Sequence, residues 1–518
     1  MKKLLYTLVL LIILISYGES QGLTSFGYDK ALTLAKLNEY VKFVGSDSEG
    51  FYVIRIDEKD DLHLEFFNAN SLIRENSNQL ILPSIGGIKS DYVAMFYLRG
   101  TLILLTEVLN NTTKEKTLYM QEVNKSGQVI GEPQIIGKLT NQNISQKFNV
   151  SLTPNQQNIF VYYNIPFQTY NEEPFFFKVY NSDMKEIYNY RLKLPMKDKS
   201  FEIDQTIISN NGNIYMVARI APDARQMKRM KNIVYDYKLL IFDEKSGNIK
   251  DIDIKGKKFI LVDAIIGVDE EENVDIFGFM VRKGKDTYEG IFHQKYNTKT
   301  DSFVLGDAKM ADYVFSKTEI PEFRADRLTK IYDEMYNYKL LNVFYLSNGG
   351  SVMIAEHRNY WVDSIIVPGS KEVIYNDYFR FNDVLVAYCS PENNMEWMTR
   401  IPKAQYSYND LGKYSSIAAF PVGEKVYLFY NEHPKNIELL QQQNLTGDLY
   451  KEIVAPGRKG TAVAVSIFSD GKVSAAPLFS GKNKNFKIIP ELIKEFNGRI
   501  LIYAENKNKV KFAVFTGR

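Results

Sequence analysis

Cysteine is nearly missing from this chain: Cys389 stands alone among 518 residues, so a monomer can form no internal disulfide. Stability must come from a buried core, and a chain of this length with 45% hydrophobic residues has material for one. Proline is scarce at 16, too few to interrupt many regular elements, and tryptophan occurs only as Trp361 and Trp397. Histidine is limited to His63, His293, His357 and His433, none at metal-ligand spacing, so each is read as a strand or loop histidine. No Gly-x-Ser-x-Gly elbow, phosphate-binding loop or dinucleotide fingerprint is present, and no motif calls for a cofactor or a metal. The sialidase-type Asp box is missing too; SDSEG, FSDGK and DEKSGN echo it only as tight hairpin turns. Neither charge sign dominates, with 64 basic against 62 acidic residues, which argues against a nucleic-acid binder.

What is present begins with an address. Lys2 and Lys3 precede an apolar run from Leu4 to Tyr17, and the small residues Gly18 and Ser20 lie three and one positions before Gln21. This predicts a signal peptide over residues 1–20 and export of a mature chain that begins near Gln21. A retained N-terminal anchor is the alternative. No cysteine follows the run, which argues against a lipoprotein. No later apolar stretch approaches the length of a membrane span, so the mature chain is expected to be soluble, with no transmembrane segment. Periplasm is the default compartment and the cell surface the alternative.

Tyrosine, at 35, and phenylalanine, at 32, are abundant, and helical periodicity is almost absent. Short apolar runs bounded by Asn, Asp, Ser and Gly recur in a four-beat unit. One unit reads Ile203–Ser209, SNNGN, Ile214–Ile220, a basic loop, Tyr237–Phe242, DEKSGN, Ile249–Ile254. The second strand recurs as GFYVIRI at 50, TLILLTEV at 101, NIFVYYNI at 158 and NIYMVARI at 213. It continues as NVDIFGFMV at 273, SVMIAEHR at 351, KVYLFYNE at 425 and RILIYAEN at 499. Such a repeat predicts an all-β fold: a single β-propeller domain over 21–518, with about eight four-stranded blades and seven as the alternative. A solenoid or a pair of β-sandwiches is the competing architecture. The last unit shows only three strands, and residues 27–36 are the candidate donor of the fourth, which would close the ring and cover its edge. A stripe of Phe323, Leu328, Ile331, Met335 and Tyr338 predicts one helical insertion over 321–339, packed onto the ring.

From residue 346 onward the chain resembles a family of uncharacterised exported propeller proteins of Gram-negative bacteria. The resembling blocks are LSNGGSVMIAEHRNY, YNDYFRFNDVLVAYCSPENNMEWMTRIPKAQYSYND, KYSSIAAFPVGEKVYLFYNEHPKN and SIFSDGKVSAAPLFS. They span roughly the last third of the chain. The resemblance implies the fold and export and adds no catalytic residue.

The acidic run Asp269–Asn273 lacks the ligand order and glycine of a calcium loop and reads as a solvated hairpin turn. A carboxylate pair for glycoside chemistry would come from distant blades and leaves no local signature. Loop length, in contrast, is asymmetric. The turns joining first to second and third to fourth strands are short. The long segments 221–233, 321–339, 359–376, 402–412 and 431–459 are second-to-third-strand loops or blade connections, which lie on one face of a propeller. Long loops on a rigid scaffold are where such folds bind. In or beside them lie Tyr360, Trp361, Tyr375, Tyr378, Tyr406 and Tyr408, and a basic stretch with Arg225, Lys228 and Arg229. Aromatics with amide and charged neighbours suit a peptide or a sugar ring, or else pack the loops onto the ring. The basic stretch suits an acidic partner or is a solvated loop. The favoured reading is a non-catalytic periplasmic or envelope propeller that binds an envelope protein through this face. The alternative is a glycan-binding protein or glycoside-active enzyme.

Overall fold

The structure is a computed structural model. It describes residues 32–33, 40–57, 59–165, 172–197, 201–221, 235–254, 260–281, 288, 290–304, 311–314, 337–366, 369, 373–496, 498–507 and 509–517. Apolar runs between tight turns fold, among the described residues, into eight sheets of four or five strands laid down one after another along the chain, with a two-stranded hairpin, Ser84–Ile85 and Ile88–Lys89, between the first two. Blade 1, for example, runs Tyr40–Ser46, Gly50–Ile56, Leu62–Asn68 and Arg74–Leu80, each strand paired with the next. Blades 2, 3 and 4 repeat this over 91–140, 149–197 and 201–254. Blade 5 spans 260–314, blade 6 spans 338–408 and blade 7 spans 418–477. Blade 8 is built from short inner strands within 487–496, then Arg499–Asn506 and Lys509–Phe515. Its outer strand is Leu32–Thr33, with Leu32 opposite Val510 and Thr33 opposite Lys509. The N-terminal segment therefore closes the last blade, as the missing fourth strand suggested.

Each sheet must bury both faces, because it is sandwiched between two neighbours. That is why the second strands do not alternate: all eight residues of Val274–Val281 are buried. Outer strands see solvent, and Arg74–Leu80 is mostly polar and exposed. Eight apolar clusters occupy the eight junctions between successive blades. One of them joins Phe51, Val53 and Phe67 of blade 1 to Tyr503, Phe512 and Val514 of blade 8, with Phe67 and Phe512 edge-on at 4.7 Å. That junction makes the ring continuous, so the architecture is an eight-bladed β-propeller.

The turns behave as their residues dictate. Gly212, in SNNGN, adopts φ of 91°, a conformation open to glycine, and its carbonyl accepts from Tyr188 Oη at 2.9 Å in the neighbouring blade. In the acidic run, Asp269 Oδ1 accepts from Asn273 N at 2.7 Å, which makes the expected hairpin turn. One member departs from the solvated reading: Glu272 reaches into blade 4 and accepts from Ser209 Oγ, Asn213 Nδ2 and Tyr215 Oη.

Three expectations change. Residues 359–366 and 373–376 of the expected loop are strand, because the second and third strands of blade 6 run on as Ser351–Ile366 and Val373–Cys389. Their β-branched residues pair across the two strands, Ile365 opposite Ile374 and Ile366 opposite Val373, so they continue the ladder. The connection 402–412 is likewise strand as far as Tyr408. Tyr338 and Lys339, assigned above to a helix, open the inner strand of blade 6 opposite His357 and Glu356, since Tyr338 packs into the junction of blades 5 and 6. The remainder of the expected helix, 321–336, lies outside the described residues, as do residues 222–234 with Arg225, Lys228 and Arg229, and the segment 1–31. No helix among the described residues is long and apolar enough to cross a membrane.

Candidate functional site

The extended strands of blade 6 form an arm that projects past the end of the blade. Trp361 pairs with Tyr378 and Tyr378 with Tyr408, so these three side chains share one face. Arg380 pairs with Tyr406 on the same face. Trp361 stacks on Tyr378 with centroids 5.3 Å apart, and the Arg380 guanidinium lies over both Trp361, at 5.9 Å, and Tyr406, at 5.5 Å. Tyr360 and Tyr375 point to the opposite face. Tyr360 packs against Phe379 and donates to Asp377 Oδ1 at 2.7 Å, and Tyr375 is 68% exposed. The six aromatics named from sequence thus share one arm but divide four and two between its faces.

The segment 431–459 packs beside the arm. It holds an eight-residue helix, Pro434–Gln441, capped by His433, whose ring accepts from Lys435 N. Asn436 fixes the return of the chain: it donates to Glu432 Oε1 at 3.0 Å and to Lys451 O at 2.8 Å, and accepts from Lys451 N at 2.8 Å. The chain then adds Ile453–Val454 as a parallel strand against Gln405 and Tyr406. Three of the long segments therefore meet on one face, through the junction of blades 6 and 7.

Beneath the arm lies a buried polar layer that sequence reading did not identify. Lys403 Nζ is 2.9 Å from Glu356 Oε1 and also donates to Phe381 O and Gln405 Oε1. Glu356 Oε2 accepts from Arg358 Nε at 2.7 Å and from Ser416 Oγ at 2.6 Å. Burial pulls the Lys403 ammonium down from its usual range, against the charge of Glu356. Burial raises the Glu432 carboxyl to about 7, held back by hydrogen bonds from His433 N and Asn436 and by the charge of Lys403. The signal in sequence was charge inside otherwise apolar strands, as in MIAEHR and LFYNEH, which a repeat-based reading passes over.

A second buried set joins blades 5 and 6. His293 Nε2 lies 2.6 Å from Asp275 Oδ1, and His293 Nδ1 lies 3.1 Å from Cys389 Sγ. This order of groups resembles a nucleophile relay, but Cys389 and His293 are wholly enclosed and burial pushes the thiol far up, so the thiolate is disfavoured. Asp275 also accepts from Ser351 and Tyr345, which makes the set a polar bolt between blades. Among the described residues no group of three or more His, Cys, Asp or Glu side chains is arranged to hold a metal.

Ring and arm together define the class: an eight-bladed β-propeller whose sixth blade extends into an aromatic arm braced by the seventh. No family model matches the chain, and no curated protein does. Solved structures are similar to the chain at low identity. The β-propeller domain of the trilobed protease from Pyrococcus furiosus is 10% identical, with a TM-score of 0.35, over 86% of this chain and 99% of that one. The WD40 domain of SCAP from fission yeast is 9% identical, with a TM-score of 0.35, over 94% and 98%. A polysaccharide lyase of the ulvan lyase type is 10% identical, with a TM-score of 0.36, over 94% and 96%.

Proposed function

We propose that this is a non-catalytic, exported propeller of the cell envelope, placed in the periplasm by residues 1–20, which docks a protein partner through the blade 6 arm. The observation that carries this reading is the distribution of exposed apolar surface. Eleven of the seventeen exposed large hydrophobics among the described residues fall between Tyr360 and Val454. Ile366 at 68%, Ile365 at 52% and Ile374 at 47% crowd the tip of the arm. Clustered exposed apolar residues on a projecting element are characteristic of a protein interface. The aliphatic tip also favours protein over glycan for this surface, because sugar rings gain from flat aromatic faces and polar groups more than from branched aliphatics. The resemblance of the last third to exported propeller proteins supports the compartment.

The test is a photoreactive residue placed at Tyr375, with the same residue at the exposed Ile130 of blade 2 as control, in cells expressing the full chain. The reading requires a discrete heteromeric adduct from position 375 and none from 130. A folded protein that yields no adduct at 375, or the same adducts at both positions, overturns it. Intact mass of the isolated protein checks the address, since export by cleavage requires a chain that starts near Gln21.

A further inference from the structure

The outer edges of the ring are guarded. The outermost strands of blades 1 and 4, RENSNQL and IKDIDI, set charged or amide side chains along their length. Blade 2 interrupts its outermost strand with Gly131, Pro133 and two register shifts. Such features keep a bare ladder from pairing with another chain. One edge lacks them. Beyond Arg358 the second strand of blade 6 runs on over residues 359–366 as NYWVDSII, with Asp363 as its only charge.

On one side this stretch pairs with the third strand, from Asn359 opposite Arg380 to Ile366 opposite Val373. On the other side the inner strand stops, with Tyr338 opposite His357 as its last pair. Two bonds at the margins give the direction of the backbone groups. Arg358 N donates to Asn337 O, so the N–H and C=O groups of Tyr360, Val362, Ser364 and Ile366 point to the side where the inner strand has ended. Asp377, opposite Val362, points the other way, since its N and its O both bond Asn409. Asn409 also donates to Asn376 Oδ1 at 2.8 Å, which caps the edge of the third strand. On the edge of the second strand only Ser364 N is capped, by Asp363 Oδ1 at 2.8 Å. The outward N–H and C=O groups of Tyr360, Val362 and Ile366 bond no described residue.

Beyond the pair of Tyr378 and Tyr408 the arm is therefore a ribbon of two strands, and such a ribbon has too little core to be stable in water by itself. Both of its faces are apolar. Tyr360, Val362, Ile366 and Tyr375 lie on one and Ile365 and Ile374 on the other, each 47% exposed or more. A helix laid on the ribbon would cover one face and leave the edge groups bare. A third strand would satisfy the edge and widen both faces at once. We infer that the arm recognises its partner by strand addition, in which an extended segment of another protein pairs with residues 360–366. Main-chain hydrogen bonds would hold that segment, and branched or aromatic side chains on it would lie beside Val362 and Ile366 on one face and Ile365 on the other. Asp363, the only charge on the edge, shares the face of Ile365 and favours a basic side chain next to it. This inference rests on the protein-docking reading and specifies the form of the partner.

Proline at an outward-facing edge position removes one N–H and leaves the pairing on the other side intact. Val362→Pro is therefore the test variant, and Val362→Thr, which keeps the N–H and the branched shape, is its control. In cells expressing the full chain with a photoreactive residue at Tyr375, the heteromeric adduct should fall about tenfold or more with Val362→Pro and persist with Val362→Thr. Hydrogen exchange of the isolated parent protein tests the edge without any variant. Within residues 359–366 the outward amides of Tyr360, Val362 and Ile366 should exchange fast and the inward ones slowly. If the parent yields no adduct from position 375, the docking reading falls and strand addition falls with it. A heteromeric adduct that Val362→Pro leaves at the parental yield overturns strand addition alone. So does an adduct made of two copies of this chain, or slow exchange of all the amides in 359–366, because the edge would then be covered by the protein itself.

Discussion

Lys403, on the outer strand of blade 6, reaches across the third strand to place its Nζ 2.9 Å from Glu356 Oε1 on the second, and both side chains are wholly enclosed. A charge pair of this kind sets register more than it adds stability, because desolvation offsets most of the attraction, yet losing one partner strands the other. Lys403→Met should therefore destabilise the protein by about 3 kcal/mol in chemical denaturation. The double variant Glu356→Gln/Lys403→Met should recover part of that loss. Equal stability of the single variant and the parent would show that the pair is not the brace of the arm.

Glu432 makes the same junction sensitive to pH. Its folded-state carboxyl is raised to about 7 by burial, above the usual carboxylate range of the unfolded chain. Between those values the folded state holds a proton that the unfolded state has released, so this group's contribution to stability is lost as pH rises through about 7. Glu432→Gln keeps the neutral form at every pH. The variant should gain on the parent, on the order of 1 kcal/mol, as pH passes from mildly acidic to mildly alkaline, read from paired melting curves. A parent and variant that stay parallel across that range would contradict the assignment.

The two tryptophans should behave differently. Trp397 stacks on Tyr388 at 5.5 Å and donates from Nε1 to Ser469 O in blade 7 at 2.8 Å, so Trp397→Ala should cost about 3 kcal/mol and lower the melting temperature. Trp361 touches only arm residues among its ring contacts, so Trp361→Ala should leave melting nearly unchanged while weakening the crosslinked partner complex by about 2 kcal/mol. An early-melting Trp361→Ala protein would move that residue from the interface into the packing.

Closure by the N-terminus can be tested by deletion. Removing residues 21–36 takes away Leu32 and Thr33, the partners of Val510 and Lys509, and bares the edge of Lys509–Phe515. Earlier melting and concentration-dependent association are expected, because an uncovered apolar edge strand pairs with other chains. A truncated protein as stable and monomeric as the parent would show that blade 8 closes without this strand.

The amino-acid sequence alone determined the repeat, the all-β class, the eight second strands and the need for a terminal donor near 27–36. Each of these follows from local alternation and turn chemistry, which act within a few residues. The same locality explains what was misjudged. VDSII and VIYND read as loop because they run past the end of a blade's own repeat, although Ile365 and Ile374 continue its ladder. Tyr338 fell on a helical stripe by spacing, yet its partner His357 and its place in the junction of blades 5 and 6 make it strand. Only the tertiary structure could decide what a charge inside a strand is for. Glu356, Lys403 and Glu432 lie up to 76 residues apart, and whether each is paired or exposed depends on which blades the closed ring brings together.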